Sequence, residues 1–600
     1  MGMVIMDKQR NQSNLEINKF FVNKGLLAIL LVGYFPVTQA SLFGFKFSPY
    51  VTASQAYSDN LTYGFNSPSS QINEPVGGFI TELTPGLSIT RKSSRSDFNL
   101  NYRLQILNYE GVDINTRLFN QLQMSSKSEI YDKSLFLDSS STISQANLSS
   151  QGGFAPDNIG RALGAGYTTY RTLRISPYWL INKSRYINGE LRYTYNSFIN
   201  DGSTSSNVIG QDANSVNLSS NSYQQTISLR NGKALTNIGW RINLNNQEQY
   251  NQGATSPLFS NSIIRFRAIN GEISYRLGIY DLQTFVQSGY YDNSYPGNLG
   301  VNNGLYITPG LSWTPSNKFQ VALGYGYNAH FINLSWHPSE RTNFQFSYRD
   351  SNVGGSNTGG TYGFGGISTG NTISPGFDMN SGASGNAMGS SIAGTSFNST
   401  FQHRMRTLLW SASYITSTST AQQYLSSLPT FTQTTDINGV PISDPVAISR
   451  QTNLFNLNNN VFVSKRATVS LSWYLPKTIF TISGFNNNLS YNLSSSRPQE
   501  IYGFNASVNW RFAQRMNATV QGTWQTSQYT DSSIASGNGK TEYSIVYLSI
   551  SRQLSAFATA YLQYNHYSSV FGGVTGDFNS ITNSGNYDSN RITASINLRF

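Results

Sequence analysis

A chain of 600 residues without a single cysteine has neither disulfides nor thiolate metal sites. Only 12% of its residues are charged, against about 25% in a soluble globular chain, yet its mean hydropathy is negative, which excludes a bundle of membrane helices. Low charge, 13% aromatics and abundant uncharged polar residues suit side chains that alternate between lipid and water, the composition of a transmembrane β-barrel.

The first element in chain order is a signal segment. "GLLAILLVGYF" (25–35) is too short to cross a bilayer as a helix, which takes about 20 residues. Lys19 and Lys24 precede it and "PVTQA" follows, ending at Ala40. A basic region, a short apolar core and a small-residue exit predict a cleaved secretory signal peptide over 1–40. Its removal takes Lys8, Arg10, Lys19, Lys24, Asp7 and Glu16 from a formal net charge of +11, leaving +9. A basic balance points to an anionic surface or polymer, and export argues against nucleic acid.

From 41 to 600 the pattern predicts one all-β domain. "FNLNYRLQI" sets Phe98, Leu100, Tyr102, Leu104 and Ile106 against Asn99, Asn101, Arg103 and Gln105. "FQVALGYGY" sets Phe319, Val321, Leu323, Tyr325 and Tyr327 against Gln320, Ala322, Gly324 and Gly326. "YGFNASVNWRF" and "NATVQGTWQ" follow the same period of two, the period of a strand with two different faces. A soluble sandwich alternates too, but these segments reach the length of a tilted membrane strand and carry aromatics near their ends. The expectation is an antiparallel up-and-down β-barrel of roughly 18–22 strands in the outer membrane of a Gram-negative cell.

Short, often basic connections such as "NKSR" (182–185), "TPSNK" (314–318), "PSERT" (338–342) and "AQRM" (513–516) predict periplasmic turns. Long Ser/Asn/Gly-rich stretches at 60–77, 146–166, 199–221, 353–400, 420–450 and 571–588 predict outer loops, with 353–400 of low complexity. "LSWTPSNKFQ" (311–320) recurs as "LSWHPSERTNFQ" (334–345), which places Trp313 and Trp336 at strand ends with Pro315 and Pro338 in the adjoining turns. Strands begin almost at Phe45, so the expectation leaves no room for an N-terminal plug domain of the siderophore-transporter kind, about 150 residues long.

The final "RITASINLRF" puts Ile592, Ala594, Ile596, Leu598 and Phe600 on one face. An alternating last strand ending in an aromatic residue resembles the C-terminal assembly signal of bacterial outer-membrane barrels. By that resemblance, the barrel-insertion machinery of the outer membrane is a partner.

Charges on the polar faces carry the functional reading. Arg103, Arg174, Arg192, Arg241, Arg265, Arg267, Arg276, Arg349 and Arg511, with Arg599, each stand opposite apolar strand residues, and few carboxylates share those faces. An arginine on the lipid face at mid-depth costs about 2–4 kcal/mol, so these predict a basic lumen suited to an anionic polymer. The bland alternative sets many of them at the periplasmic rim, meeting water or lipid head groups. The four histidines, His330, His337, His403 and His566, form no metal or catalytic motif, and no cofactor site is expected.

Several segments together resemble the outer-membrane proteins of the PEP-CTERM/exosortase system, which are linked to exopolysaccharide loci. They are "SPYVTASQAYSDNLTYG" (48–64), "FITELTPGLSITRKSSRSDFNLNYRLQ" (79–105), "SWHPSERTNFQFSYRD" (335–350), "FQHRMRTLLWSASYIT" (401–416), "YLQYNHYSSV" (561–570) and "NRITASINLRF" (590–600). The resemblance implies contact with outer-membrane lipid and a part in export or assembly of exopolysaccharide. It implies no catalytic residue. The expectation is a channel or accessory porin; the alternatives are a non-transporting adhesion or scaffold barrel and, behind both, a barrel enzyme acting on lipid or glycan.

Overall fold

The computed structural model describes residues 41–600 except 43, 62–74, 112–114, 148–157, 162–166, 182–183, 203–217, 254–261, 280, 295–302, 354, 359–387, 392–393, 421–432, 436–440, 444–460, 492–497, 530–539 and 573–586. The signal segment 1–40 lies outside the described residues.

Backbone groups in hydrocarbon find no water, so a spanning sheet must pair both edges of every strand. The chain meets that demand by closure. Among the described residues, 24 antiparallel strands each pair with their chain neighbours, and the last, Tyr587–Arg599, pairs with the first, Phe45–Ser58. Their shared ladder runs from Tyr50↔Arg599 to Ser58↔Arg591. A two-residue strand, Ser41–Leu42, folds back on Phe45 and Lys46.

The count exceeds the expected 18–22. Segments such as Arg117–Tyr131 and Leu135–Asn147 are full strands whose Ser-rich stretches, "SSKS" and "DSSS", blur the alternation. Most strands have 13–16 residues, more than the 9–11 that cross a bilayer, so their ends stand clear of the hydrocarbon. Phe319–Tyr325, with 7 residues, is far shorter.

Turns and loops segregate by end. Connections from 93–95 to 554–557 at one end are two to six residues long, while those at the other include 59–77, 352–393 and 421–460. Phe45 and Arg599 lie at the turn end. Strand Gly394–Arg404 begins inside the expected 353–400 loop, and a small hairpin, Gly355–Thr358 with Met388–Ser391, stands within it.

The two faces differ as curvature requires. On the convex side neighbouring side chains splay apart, and Leu311, Leu323, Ile482, Trp510 and Ile592 are more than half exposed or nearly so. On the concave side they crowd, which buries Asn101, Gln121, Ser176, Gln247, Gln525 and Asn565. An apolar exterior around a polar interior is the arrangement of an outer-membrane barrel.

Trp179, Trp240, Trp313, Trp336, Trp410, Trp473 and Trp510 all sit within three residues of a strand's turn end, on the outward parity. They mark one membrane interface, because an indole has an apolar body and a polar N–H. The two prolines are not in the turns: Pro315 and Pro338 belong to the strands Gly304–Ser316 and Ala329–Ser339, inside bulges between Trp313 and Ser316 and between Trp336 and Ser339. A bulge suspends the ladder locally, so the missing N–H costs nothing there.

Candidate functional site

Twenty-four strands enclose a lumen wider than side chains can fill, so what lines the inner wall decides what the barrel does. Arg103 lies on the inner parity of Ser96–Glu110, beside Gly86 and Gln121 in register, and donates to the Gln121 amide. Close by, Glu82 accepts from Ser54 (3.3 Å), Thr84 (2.8 Å) and Gln105 (2.9 Å). The short segment Asn158–Arg161 reaches this wall. Asn158 donates to Gln105 (2.9 Å) and Gln145 (3.2 Å), the Tyr109 hydroxyl donates to the Ile159 carbonyl (2.8 Å), and Ile159 packs into a cluster with Ile80, Leu107 and Phe119.

A second group occupies the turn-end half of the neighbouring wall. Arg192 pairs with Asp138 (3.1 Å) and Glu190, donates to Ser176 (3.1 Å) and lies 4.0 Å from the Tyr178 ring centroid. Arg174 stands on the same inner face, two residues from Ser176, and its Nε is buried without a hydrogen-bond partner. Asp138 likewise keeps a buried Oδ1 with none.

Across the barrel Arg349 faces inward with its guanidinium 5.0 Å from the centre of the Tyr306 ring. Arg241 is inward, level with Arg230 and Glu272 in the ladders, near the turn end of its strand. Arg276, Arg511 and Arg599 are inward at the turn-end rim, in water's reach.

Arg265 and Arg267 stand elsewhere, and the lumen assignment is corrected for both. In Ser262–Arg276 the exposed positions are Ile263, Arg265, Arg267, Ile269, Ile273 and Tyr275, with Arg276 at the turn-end rim, while Ile264, Phe266, Ala268 and Ser274 are buried. Apolar residues occupy both faces of this strand, so the arginines opposite Ile264 and Phe266 point outward. Glu248 joins them on the outer wall, 3.0 Å from Arg267 and 3.5 Å from Arg265.

Among the inward arginines that escaped sequence reasoning, two stand against aromatic rings. Arg591 is 2% exposed, donates to the Tyr567 hydroxyl (2.8 Å) and lies 5.2 Å from its ring centre. Arg466 lies 6.0 Å from the Phe485 ring centre. Arg591 shares parity with Arg599 in "NRITASINLRF", which was the available signal.

The histidines are dispersed. His330 meets Asp350 (3.3 Å), His337 meets Ser335 (2.9 Å), His403 meets Thr342 (2.8 Å), and His566 meets Asn590 (2.9 Å). On the last strand Ile592 is 55% exposed, and Ala594, Ile596 and Leu598 share its parity; the Phe600 amide donates to the Pro49 carbonyl at 2.9 Å.

No family model and no curated protein matches the sequence. Among solved structures, the FrpB iron transporter from Neisseria meningitidis (F3-3 variant) aligns over 92% of this chain and 81% of its own, at 9% identity and a TM-score of 0.43. The ferric citrate transporter FecA in its unliganded form aligns over 94% and 80%, at 10% identity and 0.44. The siderophore receptor PirA from Acinetobacter baumannii aligns over 92% and 80%, at 10% identity and 0.42.

Proposed function

We propose that this barrel is a channel or accessory porin for exopolysaccharide export or assembly, with an anionic polymer as its cargo. The observation that carries the reading is the inner wall itself. Arg103, Arg174, Arg192 and Arg349 stand there among Ser, Thr, Asn and Gln, which offer hydrogen bonds to sugar hydroxyls without binding any one of them tightly. Arginine suits carboxylate or sulfate groups because its planar fork matches their oxygens. The resemblance of the segments at 48–64, 79–105, 335–350 and 590–600 to exosortase-associated barrels supports the same cargo. Export and partners follow from this reading: Ile592, Ala594, Ile596, Leu598 and Phe600 serve the insertion machinery.

Planar-bilayer recording tests it. The expected result is an open pore that prefers anions, and replacing Arg103, Arg174 and Arg349 with alanine moves the reversal potential toward cation preference. A second reading, a non-conducting scaffold, draws on the Asn158–Ile159 segment seated against the inner wall. A folded barrel that passes no current, alone or with Asn158→Ala, overturns the channel and leaves the scaffold.

A further inference from the structure

The outward arginines raise a separate question. Charges are scarce on a lipid-facing wall because hydrocarbon cannot solvate them. Yet Arg265, Arg267, Glu248 and Asp292 stand together on three adjacent strands, on the outer side.

Their depth resolves part of the puzzle. Trp240 and Tyr275 mark the turn-end interface on these strands. Glu248 lies eight residues above Trp240, and Arg267 and Arg265 lie eight and ten above Tyr275. At about 3.4 Å per residue and a tilt of about 40°, that is roughly 21–26 Å along the membrane normal. The apolar band is about 25 Å tall. The cluster therefore sits at the opposite edge of the band, level with the head groups of the loop-side leaflet.

Its internal pairing is incomplete. Both guanidiniums share Glu248 Oε1: Arg267 through Nη2 at 3.0 Å and Arg265 through Nε at 3.5 Å. Arg267 Nη1 is 3.8 Å from Asp292, beyond hydrogen-bond length. Among the described residues neither Nη group of Arg265 has a partner, and the two arginine side chains are 44% and 47% exposed. The Tyr250 hydroxyl donates to the other Glu248 oxygen at 2.9 Å, which holds that carboxylate in place. A fixed carboxylate then holds two forks side by side, each with N–H groups left to give.

We propose that Arg265 and Arg267 form a binding site on the outer wall for the phosphate groups of a phosphorylated glycolipid in the outer leaflet. Phosphate oxygens accept paired N–H bonds from a guanidinium fork, and the lipid's acyl chains lie along Ile269 and Ile273 below. Glu248 is a positioning residue; it orients the forks and, as a like charge to the ligand, limits the affinity. The site is independent of what passes through the lumen.

The full chain, delipidated and reconstituted in phosphatidylcholine nanodiscs with bis-phosphorylated lipid A, provides the test. Retained lipid A is read by mass spectrometry after washing. Arg265→Ala/Arg267→Ala retains about thirtyfold less than the parent. Arg552→Ala, an outward arginine at the turn end, retains as much as the parent. Folding of each variant is checked by the shift of the unheated band in gel electrophoresis. Should the double variant hold lipid A like the parent, or dephosphorylated lipid A bind equally well, the site is overturned. Displacement by inorganic phosphate alone at millimolar concentration assigns the patch to free anions and overturns the lipid. Loss on chelating divalent cations, without loss in the arginine variant, also overturns it.

Discussion

Gly86 shows how the inner wall accommodates large rings. It faces inward, and the Tyr50 ring lies where a Cβ would stand. The Phe285 ring covers Gly310 and the Phe331 ring approaches Gly324 in the same way. A glycine in a strand loses packing, and a neighbouring aromatic laid over it restores the contact. Because the atoms in the way belong to a stiff ring, a methyl group at 86 must displace Tyr50, which also neighbours Arg103. Gly86→Ala is expected to cost about 1–3 kcal/mol, read from urea unfolding in liposomes by tryptophan fluorescence. Adding Tyr50→Ser should recover most of that loss, so the pair will be strongly non-additive. If the two losses simply add, the ring and the glycine are not in contact.

At the scale of the strand, alternation was legible and its direction mostly was. The faces of Phe319–Tyr327, Tyr502–Phe512 and Ile592–Phe600 come out as the period of two predicts, because each has bulky apolar residues on one parity only. Ser262–Arg276 does not, since Ile264 and Phe266 pack inside while Ile269 and Ile273 meet lipid. Period two divides residues into two sets, and hydrophobicity alone then fails to say which set is outside. Strands such as Leu135–Asn147, with three consecutive serines, were hidden for the opposite reason, too little contrast.

Arg174 and Ile175 permit a direct test of the parity. Ile175 is outward, 39% exposed and four residues from Trp179, about 10 Å into the apolar band. Moving the charge by one residue reverses its solvent. Ile175→Arg is expected to cost about 2–4 kcal/mol, whereas Arg174→Ile, which removes a guanidinium with an unpartnered Nε, should cost less than 1 kcal/mol. Equilibrium unfolding of both variants in the same lipid compares them. Equal losses would mean that the two positions share one environment.

At the scale of the whole molecule, closure was predictable from the membrane requirement, and with it the pairing of the last strand with the first; the register of that ladder, which joins residue 50 to residue 599, was not. That seam, nine residue pairs from Tyr50↔Arg599 to Ser58↔Arg591, makes the last strand a structural necessity. Without it the first strand would turn a row of unpaired N–H and C=O groups toward lipid, each costing several kcal/mol. Ending the chain before Tyr587 should therefore abolish the folded barrel, seen as loss of the unheated, fast-migrating band and of protease resistance in outer-membrane fractions. Phe600 plays a smaller static part. Beyond one backbone bond to Pro49, which any residue can make, its side chain is half-buried at the turn-end rim. Phe600→Ala should thus leave equilibrium stability within about 1 kcal/mol while slowing membrane insertion, followed as the rise of the folded band after a pulse of synthesis. Insertion at the parental rate would remove the assembly role of the terminal aromatic and leave the seam as the whole reason for the last strand.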